Sequence, residues 1–351
     1  VKTEVVAAIA DRGRVPGSTT PATERAVELL RAGEVVALPT ETVYGLAADA
    51  LNPIAVAKIF EAKDRPRFDP LIVHLPASDW LEKVAKIPAE DRQLVSQLVT
   101  KFWPGPFTMV LPKREIIPDI VTAGLETVAV RVSAHAVFAE IVRELGKPLA
   151  APSANRFGRV SPTTPQHVLD ELDSRIPMIV DDGPTMHGIE STIVAVRQGK
   201  IDILRRGPVT LEELSKFGNV NIVVSPEKIS APGQLSSHYA PTTRLHLIDD
   251  AQTFIPKRNK RVALLAWKTS RSGGFQAADL NKRRSGERRS LKFVTVRCLS
   301  DKQDLREAAA NLFRYLRELD ALDVDLIVAE RVPREGLGAA INDRLQRAAA
   351  K

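Results

Sequence analysis

The chain has 351 residues, 44% of them hydrophobic, enough for two domains or one large one. Its lone cysteine, Cys298, excludes an intramolecular disulfide framework and a four-cysteine zinc site, and fits a reducing cytoplasm. The formal net charge of +7 is unevenly placed: residues 257–292 carry 12 Lys/Arg against 2 Asp/Glu, and the remainder is about −3.

Val1–Gly17 has no long apolar segment, so no signal peptide is expected, and no run of about 18 apolar residues predicts a membrane span. Thr20-Pro21 predicts a helix start, with Thr20 as N-cap and Pro21 at the first helical position, ending at Gly33. A short buried strand follows at 35–38, then a turn-rich loop, Pro39-Thr40-Glu41-Thr42-Val43-Tyr44-Gly45. Asn52-Pro53 caps a helix running to about Ala62. Strands are predicted at 71–75, 107–111, 128–132, 149–151, 178–181, 191–196 and 201–204, and helices near 90–102, 134–145, 165–172 and 210–217. Strands and helices alternate irregularly, and 191–204 reads as a hairpin. The fold class is therefore α/β, a twisted open mixed sheet with helices.

Pro, Gly and Ser punctuate Ser225–Thr243 without periodicity, which reads as a linker. Beyond it, strands are predicted at Leu245–Leu247, Val262–Ala266, Phe293–Val296 and Leu326–Ala329, with helices over Leu305–Leu322 and Ala339–Ala349. The expected organisation is a larger α/β domain over 15–224, a linker over 225–243 long enough to act as a lid, and a smaller α/β domain over 244–351. The basic stretch, densest at Lys282–Arg289, reads either as a solvated loop or as an RNA-contacting patch.

Two polar stretches stand out. Lys63-Asp64-Arg65-Pro66-Arg67-Phe68-Asp69-Pro70 precedes the apolar Leu71–Leu75, and Pro152-Ser153-Ala154-Asn155 follows the apolar Leu149–Ala151. Each lies at the end of a buried strand, where open α/β sheets place ligands. Arg grips phosphate with two parallel hydrogen bonds and Lys acts as a point charge. Together they suggest a nucleotide phosphate site, and no Walker P-loop motif occurs.

His74 and Arg131 interrupt apolar strands, where a charge must pair or face a wet cavity. His74 reads either as a satisfied core histidine or as a ligand contact, and Arg131 either as an edge-strand ion pair or as a carboxylate grip. Ser191-Thr192 at a strand start suits a small polar ligand or ordinary turn chemistry. Arg205 and Arg206 before Gly207 suit a phosphate or ordinary surface charge, and Ser161-Pro162-Thr163 is most simply a helix entry. The chain has no G-x-S-x-G, no H-E-x-x-H and no Cys/His cluster.

Taken in order, these pieces resemble the threonylcarbamoyl-AMP synthases, the YrdC family. The match runs through Pro39–Leu46, Lys63-x-Arg65-Pro66, Val130–Val132, Pro152–Asn155, Gly188–Ile193 and Leu204-Arg205-x-Gly207, roughly residues 20–218. His238-Tyr239-Ala240-Pro241 and Gly336–Leu345 resemble the long, two-domain form. The resemblance implies a nucleotidyltransferase that makes threonylcarbamoyl-AMP and pyrophosphate from L-threonine, bicarbonate and ATP, for tRNA threonylcarbamoyladenosine modification.

It further implies that Thr40, His74, Arg131 and Ser191 hold threonine. Lys63, Arg65, Asp69, Ser153, Asn155, Ser161 and Arg205 would meet ATP, with Lys63 and Arg65 catalytic and Tyr239 closing over the nucleotide. Mg²⁺ is expected with ATP, its ligands unnamed, and no tightly bound cofactor. Expected partners are tRNA or double-stranded RNA and downstream tRNA threonylcarbamoyl transferase proteins, in the cytoplasm and without a membrane. Two positions depart from the family pattern. Asp69 stands where Asn is usual, so a carboxylate there either repels ATP or helps hold magnesium, and Phe157 stands where Ser is usual. Related carbamoyl-adenylate chemistry in hydrogenase maturation comes with cysteine-rich zinc modules, which a single cysteine argues against. An intact threonine pocket argues against a non-catalytic RNA binder.

Overall fold

The computed structural model describes residues 2–8, 20–223, 231–232, 239–251, 253–256, 260–268 and 293–350. Contacts divide the chain into two units, Val1–Phe157 with Ser161–Leu235, and Gly158–Val160 with Ser236–Lys351.

The first unit runs β1 (Glu4–Ala7), α1 (Pro21–Arg31), β2 (Val36–Leu38), β3 (Gly45–Asp49), α2 (Pro53–Lys63) and β4 (Ile72–His74). Then come α3 (Leu81–Val84), α4 (Arg92–Phe102), β5 (Phe107–Pro112), α5 (Asp119–Thr122), β6 (Thr127–Arg131), α6 (Ala136–Leu145) and β7 (Leu149–Ala150). It closes with α7 (Pro165–Leu172), β8 (Met178–Asp181), β9 (Thr192–Arg197), β10 (Lys200–Arg205), α8 (Leu211–Leu214) and β11 (Val220–Ile222). The capping reading holds: the Thr20 hydroxyl accepts from the Thr23 amide at 3.1 Å, and the Asn52 side chain accepts from Ile54 and Ala55.

Among the described residues, eleven strands form one sheet in the order β1-β8-β2-β3-β7-β4-β6-β5-β9-β10-β11. It is mixed, as expected: β4 runs parallel to β6, β7 antiparallel to β4, and β9–β10 form the anticipated antiparallel hairpin. Alternate residues of β2 and β3 feed different apolar clusters. Val36, Leu38 and Ala47 join Leu30 of α1 and Phe138 of α6, while Ala37, Leu46 and Ala48 join Ile59 of α2 and Leu98 of α4. That period-two split is what a sheet covered by helices on both faces requires.

The second unit holds β12 (Leu245–Ile248), β13 (Val262–Ala266), β14 (Thr295–Cys298), α9 (Leu305–Asp320), β15 (Leu326–Glu330) and α10 (Leu337–Ala349). Its strands are all parallel, in the order β12-β15-β13-β14. No helix among the described residues is long and apolar enough to cross a membrane.

Three strands of the large sheet, β1, β3 and β11, were not expected from the sequence. β3 reads Gly-Leu-Ala-Ala-Asp, with no β-branched or aromatic residue, yet every position is buried. Its neighbours in the sheet make it a strand against its own weak propensity. β14 begins two residues later than expected, and α8 is one short turn closed by a capping box between Thr210 and Glu213.

Candidate active site

The first polar stretch begins where α2 ends. Lys63 is the helix's last residue, and Asp64 closes it in the left-handed region at φ 50°. The chain then loops to β4, while the second stretch leaves β7, with Ser153 bridged to Gly45 of β3. The Lys63 ammonium joins the two stretches by donating to the carbonyls of Ser153 and Asn155. It is 1% exposed, and burial, reinforced by Arg65, pulls its pKa well below the ordinary lysine value.

Arg65 is spread over the same loop. Its Nε donates to the Asp69 carbonyl at 3.2 Å and its Nη2 to the Pro70 carbonyl at 3.0 Å, with the Asp69 carboxylate 2.9 Å away. Its guanidinium carbon lies 5.9 Å from the Phe157 ring centroid. Phe157, at the position where Ser is usual, thus packs beside the arginine. Asp69 is fully buried, and burial raises its pKa against the opposing pull of Arg65, Lys63 and Arg205. In this structure Asp69 is the counter-ion of Arg65.

His74 and Arg131 are register partners at the C-terminal ends of the parallel pair β4 and β6. His74 is buried against Phe138, ring centroids 4.9 Å apart, and burial together with the Arg131 charge lowers its pKa to about 3, so the imidazole is neutral. Arg131 is 3% exposed. It donates to the Gly105 carbonyl at 3.0 Å and to the Thr42 hydroxyl at 3.1 Å, and pairs with Glu41 at 2.7 Å. Glu41 also accepts from the Ser133 hydroxyl at 2.5 Å and from the Ala134 amide at 3.1 Å. Burial would raise its pKa, but Arg131 and these donors outweigh it and bring it to about 2.

Thr40 serves the loop it opens. Its hydroxyl contacts Thr42 at 2.8 Å, donates to the Val43 carbonyl at 2.6 Å and accepts from the amides of Thr42 and Val43. Ser191 meets Arg205 directly: the guanidinium donates to the Ser191 hydroxyl at 3.0 Å and to its carbonyl at 3.1 Å. A residue expected at threonine and one expected at ATP are therefore neighbours. The Thr108 hydroxyl of β5 lies 2.8 Å from that of Ser191, and Ser161 donates to the Glu190 carboxylate at 2.6 Å.

The structure thus gathers the expected residues into separate groups. Lys63, Arg65, Asp69, Ser153 and Asn155 form one, and Arg131 with His74 the other, with Arg205 and Ser191 in mutual contact. Sequence reasoning missed Glu41 as the partner of Arg131, and Thr42, Thr108, Ser133 and Glu190 as supports. The available signal for Glu41 was a carboxylate inside a loop between two apolar segments, 4% exposed once folded. Tyr239 belongs to the second unit, where its ring is 1% exposed, stacked on Phe313 at 5.3 Å, with the Arg344 guanidinium 5.2 Å from its centroid. His238, most of 225–238 and most of the basic stretch lie outside the described residues.

Gly207, directly after Arg205-Arg206, packs its backbone on the segment that carries Ser191. A Cβ there would fall 2.6 Å from the Glu190 carbonyl oxygen and against the Thr192 amide, both backbone. Gly207→Ala should cost about 3 kcal/mol or more in stability. Chemical unfolding checks this, and a loss within about 0.5 kcal/mol, typical of a neutral surface substitution, would refute the packing argument.

Among the described residues no group of three or more His, Cys, Asp or Glu could hold a metal ion. What the site offers is four buried cations, Lys63, Arg65, Arg131 and Arg205, each under 10% exposed. Such fixed charges suit anionic ligands and charge developing at phosphorus.

A family model named for Sua5, YciO and YrdC, described as "Telomere recombination", matches residues 28–207. A second, described as "Threonylcarbamoyl-AMP synthase, C-terminal domain", matches residues 209–350. The threonylcarbamoyl-AMP synthase of Pyrococcus abyssi is 37% identical over 340 residues, covering 92% of this chain and 92% of the relative. That of Bacillus subtilis is 40% identical over 346 residues, covering 94% and 93%. The crystal structure of P. abyssi Sua5 complexed with L-threonine superposes with a TM-score of 0.82 at 34% identity, covering 99% of this chain and 98% of that one.

Proposed function

The chain belongs to the Sua5/YciO/YrdC family of threonylcarbamoyl-AMP synthases, and from that premise we infer how its own residues perform the reaction. It is an enzyme that makes threonylcarbamoyl-AMP from L-threonine, bicarbonate and ATP for tRNA threonylcarbamoyladenosine modification. By reaction class it is a nucleotidyltransferase. The observation that carries the assignment of roles is the hydrogen bonding of Lys63 to the backbone of Ser153 and Asn155, which makes one site of the two polar stretches.

The threonine amine forms a carbamate, either by adding to CO2 with loss of its proton or by condensing with bicarbonate, whose C–O bond breaks as water leaves. A carbamate oxygen attacks the α-phosphorus of ATP, and pyrophosphate leaves with the electron pair of the broken P–O bond. Lys63, Arg65 and Arg205 hold the triphosphate and take up charge at phosphorus. Arg131 donates to the threonine carboxylate beside neutral His74, and Ser191 and Thr40 contact the rest of the amino acid. Asn155, Ser153 and Ser161 contact the nucleotide. Little acid–base machinery is needed: positioning two anions is most of the catalysis. Magnesium would come with ATP and would supply neutralisation of phosphate charge, beside the cations Lys63, Arg65 and Arg205. Pyrophosphate release that requires both threonine and bicarbonate tests the reading, and release with ATP alone would refute it.

We propose that the enzyme works in the cytoplasm, upstream of proteins that transfer the threonylcarbamoyl group to tRNA. Contact with tRNA or double-stranded RNA would use the basic stretch. Deleting Lys282–Arg289 should leave adenylate synthesis unchanged and lower tRNA affinity, with a shallower dependence on salt because fewer phosphate counterions are released. A deletion that stops the ATP reaction would place the stretch in the synthetic machinery instead.

A further inference from the structure

The second unit holds a cavity of about 550 Å³ at the C-terminal ends of its parallel strands. Asp249 and Asp250 line it after β12, Trp267 and Lys268 after β13, and Arg331 and Arg334 after β15. In open α/β sheets ligands bind outside the carboxyl ends of the strands, where the strand order reverses. Here the chain passes through β12, β13 and β14 before returning to insert β15 between β12 and β13. The volume falls within the roughly 300–1,000 Å³ of small-molecule sites.

The walls are built. Glu330, 8% exposed at the end of β15, accepts from the Ala251 amide at 3.2 Å and the Trp267 amide at 2.7 Å, tying the three lining segments together. Gly338 fixes the segment after β15, because a Cβ there would overlap the Pro333 carbonyl oxygen. Asp249 and Arg331 pair at 3.0 Å. Lys268 and Arg334 differ: both are exposed, and neither has an ion-pair or hydrogen-bond partner among the described residues.

We propose that this cavity binds a nucleoside phosphate, with Lys268 and Arg334 on the phosphate and Asp249 and Asp250 accepting from sugar hydroxyls. Two cations without a partner among the described residues suit an anion, carboxylates beside them suit a hydroxyl-bearing partner, and the volume exceeds what phosphate alone fills. No residue of the synthetic site takes part.

The test is photolabelling of the full chain with 8-azido-AMP, followed by peptide mapping. Label should enter peptides spanning 249–251, 261–268 or 330–334, and AMP should displace it. The K268E/R334E double variant should lose that label at least about tenfold, since each charge-assisted phosphate contact is strong, while keeping its synthase activity and unfolding midpoint. If the double variant fails to fold, Lys268→Gln and Arg334→Gln singly provide the same comparison. Absence of label from these peptides, undiminished label in the folded variants, or displacement by inorganic phosphate as effective as by AMP would overturn the proposal.

Discussion

Replacing Lys63 or Arg65 with alanine is expected to lower adenylate formation by roughly 30- to 1,000-fold, the equivalent of about 2–4 kcal/mol of transition-state stabilisation. The two cations stand at the junction of the polar stretches, and Lys63 anchors Ser153 and Asn155 as well as carrying charge. Arg65→Ala has a second consequence, because it leaves Asp69 buried without its counter-ion. A broken buried pair costs about 3–5 kcal/mol in stability, less here because the pKa of Asp69 is already raised and the group can neutralise. The Arg65→Ala/Asp69→Asn double variant separates the effects. It should recover the unfolding midpoint of the parent and stay catalytically impaired, as single-turnover pyrophosphate release would show. Near-normal turnover in either single variant would remove that residue from the catalytic list.

Arg131→Ala is expected to weaken threonine far more than ATP, and also to destabilise the fold by about 3–5 kcal/mol, because Glu41 would remain charged and buried. Adding Glu41→Gln should relieve the second defect and leave the first, which calorimetric titration of each ligand would resolve. His74→Ala should share the threonine bias without the Glu41 penalty. Equal losses for both ligands would assign these residues a structural role. The same pair predicts an acid limb. Glu41 is held ionised down to about pH 2, against 4.5 in the unfolded chain. Its contribution, on the order of 3 kcal/mol, is complete above pH 4.5 and lost as pH falls toward 2. Glu41→Gln should flatten stability against pH over that window.

The buried charged residues of the proposed site were legible because they break apolar patterns. Lys63, Arg65, His74 and Arg131 lie at the ends of predicted buried elements, and the sheet register then sets His74 beside Arg131. What was not legible depends on long-range contact. β3 is a strand only because β2 and β7 flank it. Glu41 is 90 residues from Arg131 in sequence, and no local signal pairs them. Tyr239 meets Phe313 and Arg344, residues far from it in sequence, through contacts that no period within its own segment encodes. Asp69 was an anomaly in a phosphate loop until the fold placed it on Arg65.

The central claim is carbamate formation followed by adenylation at the joined site. Incubation with ATP, ¹³C-bicarbonate and each amino acid in turn, with mass detection of the adenylate, tests it most directly. The account predicts an adenylate with threonine that carries the bicarbonate carbon and appears with pyrophosphate. An adenylate of threonine lacking that carbon, or none with any amino acid, would contradict it.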